Sequence, residues 1–144
     1  METKKYILML EGDEQDRELS KDYFDAHKIR FDHLVLSSEV IPFLQHSPQL
    51  PAIILLTMNS LPDNGLSVLK KIKANEHFKH IPVIILGEDT QPELIKDCYV
   101  AGASTFFNKP FSFKLTDDTI KTFIHYWFEV AQLPDHKTVY SDFK

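Results

Sequence analysis

The sequence predicts an α/β protein built on a doubly wound, five-stranded parallel sheet. Residues 52–56 and 81–86 are almost continuous apolar runs, which are typical of strands buried on both faces of a sheet. Segments with helical spacing of apolar residues alternate with five such runs, and each parallel crossover requires a helix. The predicted strands are residues 6–10, 31–36, 52–56, 81–86 and 104–108.

The helices are predicted from their caps and apolar spacing. Asp13 and Asp16 suit the first turn of a helix after the first strand, where side-chain oxygens accept from free amides. Ser37 or Ser38 is predicted to cap a short second helix. Gly102 is predicted to end the fourth helix as a C′ residue. The fifth is predicted over 116–133, with a core-facing stripe at Ile120, Phe123, Ile124, Trp127 and Ala131.

Composition narrows the class of protein. A chain of 144 residues fits one domain, and a formal charge of -5 argues against nucleic acid or a membrane surface as partner. Cys98 is the single cysteine, so no internal disulfide is expected. No apolar run reaches the roughly 18 residues of a membrane span, and no signal-peptide core is visible. We expect a soluble, cytoplasmic protein without a further domain after the last helix.

Residues 51–65, PAIILLTMNSLPDNG, form the stretch on which function is expected to depend. The apolar run stops at Thr57, which places this residue at the carboxyl end of the central strand. Ligands bind at that edge of open α/β sheets. A carboxylate is the group expected there for phosphate or metal chemistry, and the sequence supplies a hydroxyl.

Five ordered segments give the chain its resemblance to the receiver domain of two-component response regulators. They are ILMLEGDEQDREL, PAIILLTMNSLPDNGLSVLKKIK, IPVIIL, AGASTFFNKPF and the closing helix. The resemblance implies a flavodoxin-like (βα)5 fold with strand order 2-1-3-4-5, over residues 5–133, followed by a C-terminal tail at 134–144. The ending FIHYWFEVAQLP resembles stand-alone receivers that are paired with sensor kinases.

The resemblance also implies where the phosphorylation site of the family falls. Its acidic pair corresponds to Glu11 and Gly12, its phospho-accepting Asp to Thr57, its hydroxyl position to Gly87 and its lysine to Lys109. The aromatic switch residue of the family corresponds to Phe106. Only the glutamate and the lysine keep the family's chemistry, while Phe106 keeps the ring without the phenol oxygen.

These departures predict a pseudo-receiver, in which the fold remains and phosphorylation is lost. Thr57 is neutral and would need an adjacent base to act as a nucleophile. Mg²⁺ demands near-octahedral oxygen ligands, so the loss of two carboxylates predicts weak or absent binding, with Glu11 and Asp13 as the remaining weak ligands. Lys109 is expected to point into the acidic pocket and to pair with Glu11 or Asp13. We expect no catalytic residues.

Surplus aromatic residues predict an interaction surface. Tyr126, Phe128 and Val130 lie outside the core stripe of the last helix, and Phe106 belongs to an aromatic cluster on the fifth strand. The resemblance to receivers implies that helix 4, strand 5 and helix 5 form a dimer surface. The resemblance therefore implies a homodimer there, or contact with a sensor histidine kinase, a phosphotransfer protein or another signalling protein.

Two other functions remain open at the level of sequence. A conventional response regulator would need a displaced acid such as Asp63 or Asp13, although Asp63 lies six residues beyond Thr57. A small flavodoxin-like enzyme or flavin carrier is the other alternative. Against it, the acidic loop after the first strand lacks the Ser, Thr and Gly residues that cradle a phosphate.

Overall fold

The computed structural model describes residues 5–88, 91–108 and 113–134, with residues 113–117 described by their backbone. Five strands form a single parallel sheet in the order β2-β1-β3-β4-β5, which confirms the predicted 2-1-3-4-5 order. The strands are β1 (Tyr6–Leu10), β2 (Arg30–Leu34), β3 (Ile53–Thr57), β4 (Val83–Gly87) and β5 (Thr105–Asn108).

Helices connect successive strands, as a parallel sheet requires. Their bounds are α1 (Glu14–Ala26), α2 (Val40–His46), α3 (Gly65–Ala74), α4 (Pro92–Val100) and α5 (Phe113–Ile124). A 3-10 turn, Ser37–Glu39, precedes α2. Asp13 caps α1 by accepting a 2.9 Å hydrogen bond from the Asp16 amide, and Gly102 follows α4 with φ +109°, so both predicted boundaries are confirmed.

The sheet separates two apolar cores. One face packs against α2, α3 and α4 through residues such as Leu56, Leu69 and Cys98. The other packs against α1 and α5, with Phe24 and Phe123 in T-shaped contact at 6.0 Å. Strands β1 and β3 are buried on both faces, so the residues at their carboxyl ends are held by well-packed strands.

The connection from β3 to α3 is fixed by backbone proximity. A Cβ atom on Gly65 would lie 2.7 Å from the carbonyl oxygen of Thr57, which leaves room only for glycine. Asn64 caps α3 by accepting from the Ser67 amide at 2.9 Å. Leu61 and Pro62 are joined by a cis peptide bond.

Ser37 contacts this loop through its side chain. The prediction that Ser37 or Ser38 caps the second helix is therefore wrong. The Oγ atom of Ser37 accepts a 2.8 Å hydrogen bond from the Asp63 amide, and Leu36 occupies the cap position of the 3-10 turn. Glu39 closes the turn instead, because its carboxylate accepts from the Leu36 amide at 2.8 Å. The buried serine therefore ties the β2–α2 and β3–α3 connections together.

The last helix differs from the single α-helix predicted over 116–133. It begins earlier, at Phe113, and after Ile124 it continues as a π-helix, His125–Val130. The amide of Ala131 donates to the carbonyl of Tyr126 at 2.7 Å, which is the i to i−5 bond of a π turn. The predicted core residues Ile120, Phe123 and Ile124 are buried.

Within the described residues, no helix combines the length and apolar character that membrane crossing requires. Of the predicted tail, only residue 134 belongs to the described part of the chain.

Candidate functional site

Three strand ends meet at one edge of the sheet and form a cleft of about 450 Å³. Glu11 follows β1, Thr57 ends β3 and Gly87 ends β4. The sequence predicted these three residues as neighbours, and all of them line the cleft. Gly12, Asp13, Asp16 and Glu88 line it as well, together with apolar residues at Val35, Leu36, Met58, Leu61 and Leu86.

Thr57 is held by its own hydroxyl group. Its Oγ1 atom donates a 2.9 Å hydrogen bond to the carbonyl oxygen of Leu10, and the residue is only 3% exposed. The hydroxyl proton therefore takes part in a hydrogen bond to the neighbouring strand β1. Among the described lining residues of the cleft there is no histidine that would remove this proton.

Glu11 is a buried carboxylate, 3% exposed, at the floor of the cleft. Its Oε2 atom accepts from the Asp13 amide at 3.3 Å, and its backbone amide donates to the Leu34 carbonyl at 3.0 Å. Arg17, on the first turns of α1, donates to the Glu11 carbonyl oxygen at 3.0 Å. These contacts fix the position of the one carboxylate that the family's acidic pair retains.

The resemblance to receivers predicts a carboxylate at position 12 and a hydroxyl at position 87, and both positions in the cleft are glycines. Gly12 is exposed, and an added Cβ there would meet only the Val35 carbonyl oxygen, at 3.8 Å. A side chain at position 12 would therefore meet no clash at its Cβ atom. Gly87 is buried at the end of β4 and carries no hydroxyl.

The displaced acids do not replace the missing aspartate. The Oδ1 atom of Asp13 accepts from the Asp16 amide as the α1 cap. Asp63 is not among the lining residues, and its carboxylate lies 3.2 Å from the Lys71 ammonium in an exposed ion pair. Neither aspartate stands at the position of Thr57.

The donor set does not fit a magnesium ion. Glu11 supplies one carboxylate at the floor of the cleft, the hydroxyl of Thr57 donates to Leu10, and Gly12 has no side chain. Within the described ranges, no cluster of three or more His, Cys, Asp or Glu residues has the geometry to hold a metal. Strong Mg²⁺ coordination needs more oxygen ligands than this arrangement provides. Lys109 lies outside the described residues.

A family model for the response regulator receiver domain matches residues 7–121, which includes β1 through most of α5. The chain belongs to the response regulator receiver family. Its connection to two-component signalling follows from that membership.

Relatives of this receiver include both short and longer proteins. Response regulator Rcp1 from Synechocystis sp. is 26% identical over 138 residues, covering 90% of this chain and 93% of Rcp1. Two-component response regulator ARR17 of Arabidopsis thaliana is 40% identical over 53 residues, or 37% of this chain. The matched segment spans 33% of ARR17, or about a third of the length of that plant protein.

Solved structures show the same fold. The crystal structure of the phosphorylated cyanobacterial phytochrome response regulator RcpA has a TM-score of 0.86 at 21% identity, covering 92% of this chain and all of RcpA. The structure of Rcp1 in its Mn²⁺-bound form has a TM-score of 0.81 at 25% identity, covering 91% of this chain and 99% of Rcp1. The receiver thus shares its architecture with proteins that have been observed phosphorylated or metal-bound.

The predicted switch and interface residues lie on and beside β5, but they differ in exposure. Phe106 is half-buried against the core on the α2–α3–α4 face, and its amide donates to the Tyr99 hydroxyl at 3.1 Å. Tyr126 is 51% exposed, whereas Phe128 is half-buried against the α1–α5 core. Phe128 therefore contributes partly to packing, and Tyr126 remains the more accessible of the two.

Two contacts of the site were not anticipated from the sequence. The acceptor for Thr57 is a backbone carbonyl of Leu10, 47 residues away, which no motif marks. Arg17 was also missed. The signal available for it was its position four residues after the cap Asp13, where a long side chain reaches back toward the preceding loop.

Proposed function

We propose that this receiver is a pseudo-receiver that acts in two-component signalling by binding other proteins, without phosphorylation of an aspartate and without catalytic turnover. The observation that carries the proposal is that Thr57 lines the cleft with a hydroxyl group, at the position that the resemblance matches to the family's phospho-accepting Asp. A buried hydroxyl that donates to a backbone carbonyl is a poor nucleophile.

The electrostatics of the cleft support the same function. Phosphoryl transfer depends on positioning and on cations that offset the charge of the phosphoryl oxygens. Two carboxylate ligands that the resemblance predicts are absent, because positions 12 and 57 are Gly12 and Thr57. Their absence lowers the affinity of the cleft for Mg²⁺. Gly87 has no hydroxyl to follow a phosphoryl group. Each change acts against a different part of the reaction.

The partners that we propose are a sensor histidine kinase, a phosphotransfer protein, another signalling protein or a second copy of this chain. The contact surface is the α4–β5–α5 face, on which four large side chains are exposed: Tyr99 (48%), Val100 (79%), Tyr126 (51%) and Val130 (60%). Large exposed apolar patches mark interaction sites more often than free surface. We also propose a cytoplasmic location, where such partners present their signalling domains.

Incubation of the full chain with acetyl phosphate and Mg²⁺, followed by intact-mass spectrometry, tests this function. We expect no phosphoryl adduct. The matched positive control is the variant Gly12→Asp/Thr57→Asp/Gly87→Thr, which restores the family's side chains. A stable adduct on the unaltered chain would contradict the proposal, and mapping it to Asp63 or Asp13 would identify the displaced-acid alternative.

A further inference from the structure

A second cavity lies beside the cleft, between α1 and α5 on one face of the sheet. Its volume is about 140 Å³. An apolar cavity of about 150 Å³ in another protein holds a benzene molecule. Leu86 and Glu88 line both the cavity and the cleft, so the two spaces are contiguous and the cavity can be entered from the cleft. The space is therefore suited to a single small ring.

Apolar side chains form most of the wall of this α1–α5 cavity, and three of them are phenylalanines. Phe24 and Phe107 each make an edge contact with Phe123, with centroid distances of 6.0 Å and 6.3 Å. Aromatic rings favour such edge and offset contacts, so a further ring can pack against this group. A charged group placed among these side chains would lose its hydration without gaining a partner. The interior of the cavity therefore selects a neutral ring.

Two hydroxyl-bearing residues line the cavity from opposite helices. Ser20 lies on α1 and Thr119 lies on α5, and both are half-buried. Within the described residues, neither hydroxyl takes part in a hydrogen bond. A hydroxyl group can donate one hydrogen bond and accept others. A ligand hydroxyl that reaches these two side chains can therefore replace water as their partner.

We propose that the α1–α5 cavity binds a small neutral aromatic alcohol of the phenol class, with its ring among the phenylalanines and its hydroxyl at Ser20 and Thr119. An apolar lining with a few polar groups that fix orientation is the usual composition of a small-molecule site. The interaction uses no charged residue of the cavity or of the cleft. Because the ligand contacts both helices, it would join α1 to α5, which carries Tyr126 in its π-helical extension. This inference goes beyond the proposed protein binding and does not depend on it.

The test is a titration of the ¹⁵N-labelled full chain with phenol, followed by amide chemical shifts. We expect saturable shifts at Leu19, Ser20 and Leu55, which line this cavity but not the cleft. The dissociation constant should be on the order of 1 mM, as for other ligands of this size. Toluene, which has the same shape with a methyl group in place of the hydroxyl, is the matched probe.

Two kinds of variant separate the role of the hydroxyls from that of the space itself. Ser20→Ala/Thr119→Val removes both hydroxyls, so phenol should bind about tenfold more weakly while toluene binds at least as well. Thr122→Val is the matched control, because it removes an exposed hydroxyl that does not line the cavity. Ser20→Leu fills the space and should abolish the shifts with both probes. If this variant fails to fold, Thr119→Leu fills the space from the opposite helix.

Three results would overturn the proposal. The first is the absence of saturable phenol shifts in the unaltered chain. The second is an unchanged affinity for phenol in the folded double variant or in a folded filled variant. The third is a set of shifts confined to Thr105, Thr122 and Tyr126, which line a separate groove on β5 and the last helix.

Discussion

The side chain of Thr57 and the backbone of Leu10 are joined by a hydrogen bond of 2.9 Å between the ends of β3 and β1. Leu10 is 1% exposed and Thr57 is 3% exposed, so the bond is shielded from water. The Thr57 hydroxyl therefore acts as a structural contact that holds the ends of two central strands together.

Replacing Thr57 with valine should destabilise the protein by about 1 kcal/mol, because the Leu10 carbonyl loses a buried donor while the shape of the side chain is retained. Urea denaturation measures the change. Thr122→Val is the matched control, since Thr122 is exposed and its loss of a hydroxyl should have little effect. Equal effects of the two variants would show that the Leu10 bond contributes nothing.

Restoring two carboxylates should create a Mg²⁺ site. In Gly12→Asp/Thr57→Asp, two new carboxylates join that of Glu11 at the strand ends, and a Cβ atom at position 12 meets no clash. Without metal, their repulsion should lower the stability of the folded state. At a Mg²⁺ concentration 100 times the dissociation constant, binding should return about 2.7 kcal/mol.

Thermal denaturation with and without Mg²⁺ measures this gain. The unaltered chain should show little or no Mg²⁺-dependent shift in Tm, and Ca²⁺ serves as the comparison ion. A shift in the unaltered chain as large as in the double variant would disprove the prediction that its own site is weak.

Gly65→Ala should destabilise the fold by about 1–3 kcal/mol, because the new Cβ would approach the Thr57 carbonyl oxygen to 2.7 Å and backbone would have to move. Gly12→Ala is the matched control. Its Cβ would make only an ordinary contact of 3.8 Å with the Val35 carbonyl, so its effect on urea denaturation should be small. The prediction fails if the two variants have the same midpoint.

Val130→Lys should weaken self-association on the α4–β5–α5 face, since Val130 is 60% exposed beside Tyr126 and a charge there is costly to bury. Sedimentation equilibrium measures the monomer–dimer constant. Val35→Lys places the same charge on an exposed valine beside the cleft and should leave association unchanged. A chain that is monomeric at every concentration would rule out the homodimer and leave only a different partner for this face.

Stability should fall at alkaline pH partly because of Cys98. Burial, with a smaller contribution from the charge of Asp97, raises the pKa of this thiol. Above about pH 8.5 the unfolded chain loses the thiol proton while the folded chain keeps it, so the unfolded state is favoured as pH rises. Cys98→Ala removes this contribution, although its cavity lowers stability at every pH.

Urea denaturation near neutral pH and at about pH 9.5 provides the comparison. The loss of stability between the two should be smaller in Cys98→Ala than in the unaltered chain. Burial lowers the pKa of Lys73, which makes its contribution to stability rise with pH in both proteins and so cancels in the difference. Identical slopes would contradict the raised pKa.

The fold could be predicted because its evidence is local and repeated. Strands such as β3 and β4 are continuous apolar runs. Asp13 and Gly102 mark helix boundaries because aspartate is preferred at the start of a helix and glycine after its end. The position of Thr57 followed from the end of its strand, and those of Glu11 and Gly87 followed from the resemblance to receivers. Parallel strands place such residues at one edge regardless of sequence separation.

Features that depend on tertiary contacts were not predictable in the same way. Ser37 is chemically suited to a helix cap, and its actual partner, the Asp63 amide, is 26 residues away. The apolar residues beyond Ile124 keep α-helical spacing in the sequence, so their pattern did not reveal that this segment is a π-helix. On α1, Phe24 is buried, whereas the apolar residues Leu19 and Tyr23 are half-buried and Ala26 is exposed, a difference that spacing alone does not predict.

The hydrogen bond from the Phe106 amide to the Tyr99 hydroxyl joins α4 to β5, the strand at the end of the sheet order. A partner that docks on this side of the molecule therefore meets a helix and a strand that are already fastened to each other. Any binding event that moves α4 away from β5 has to break this bond, so the position of Tyr99 reports on the packing of the last strand.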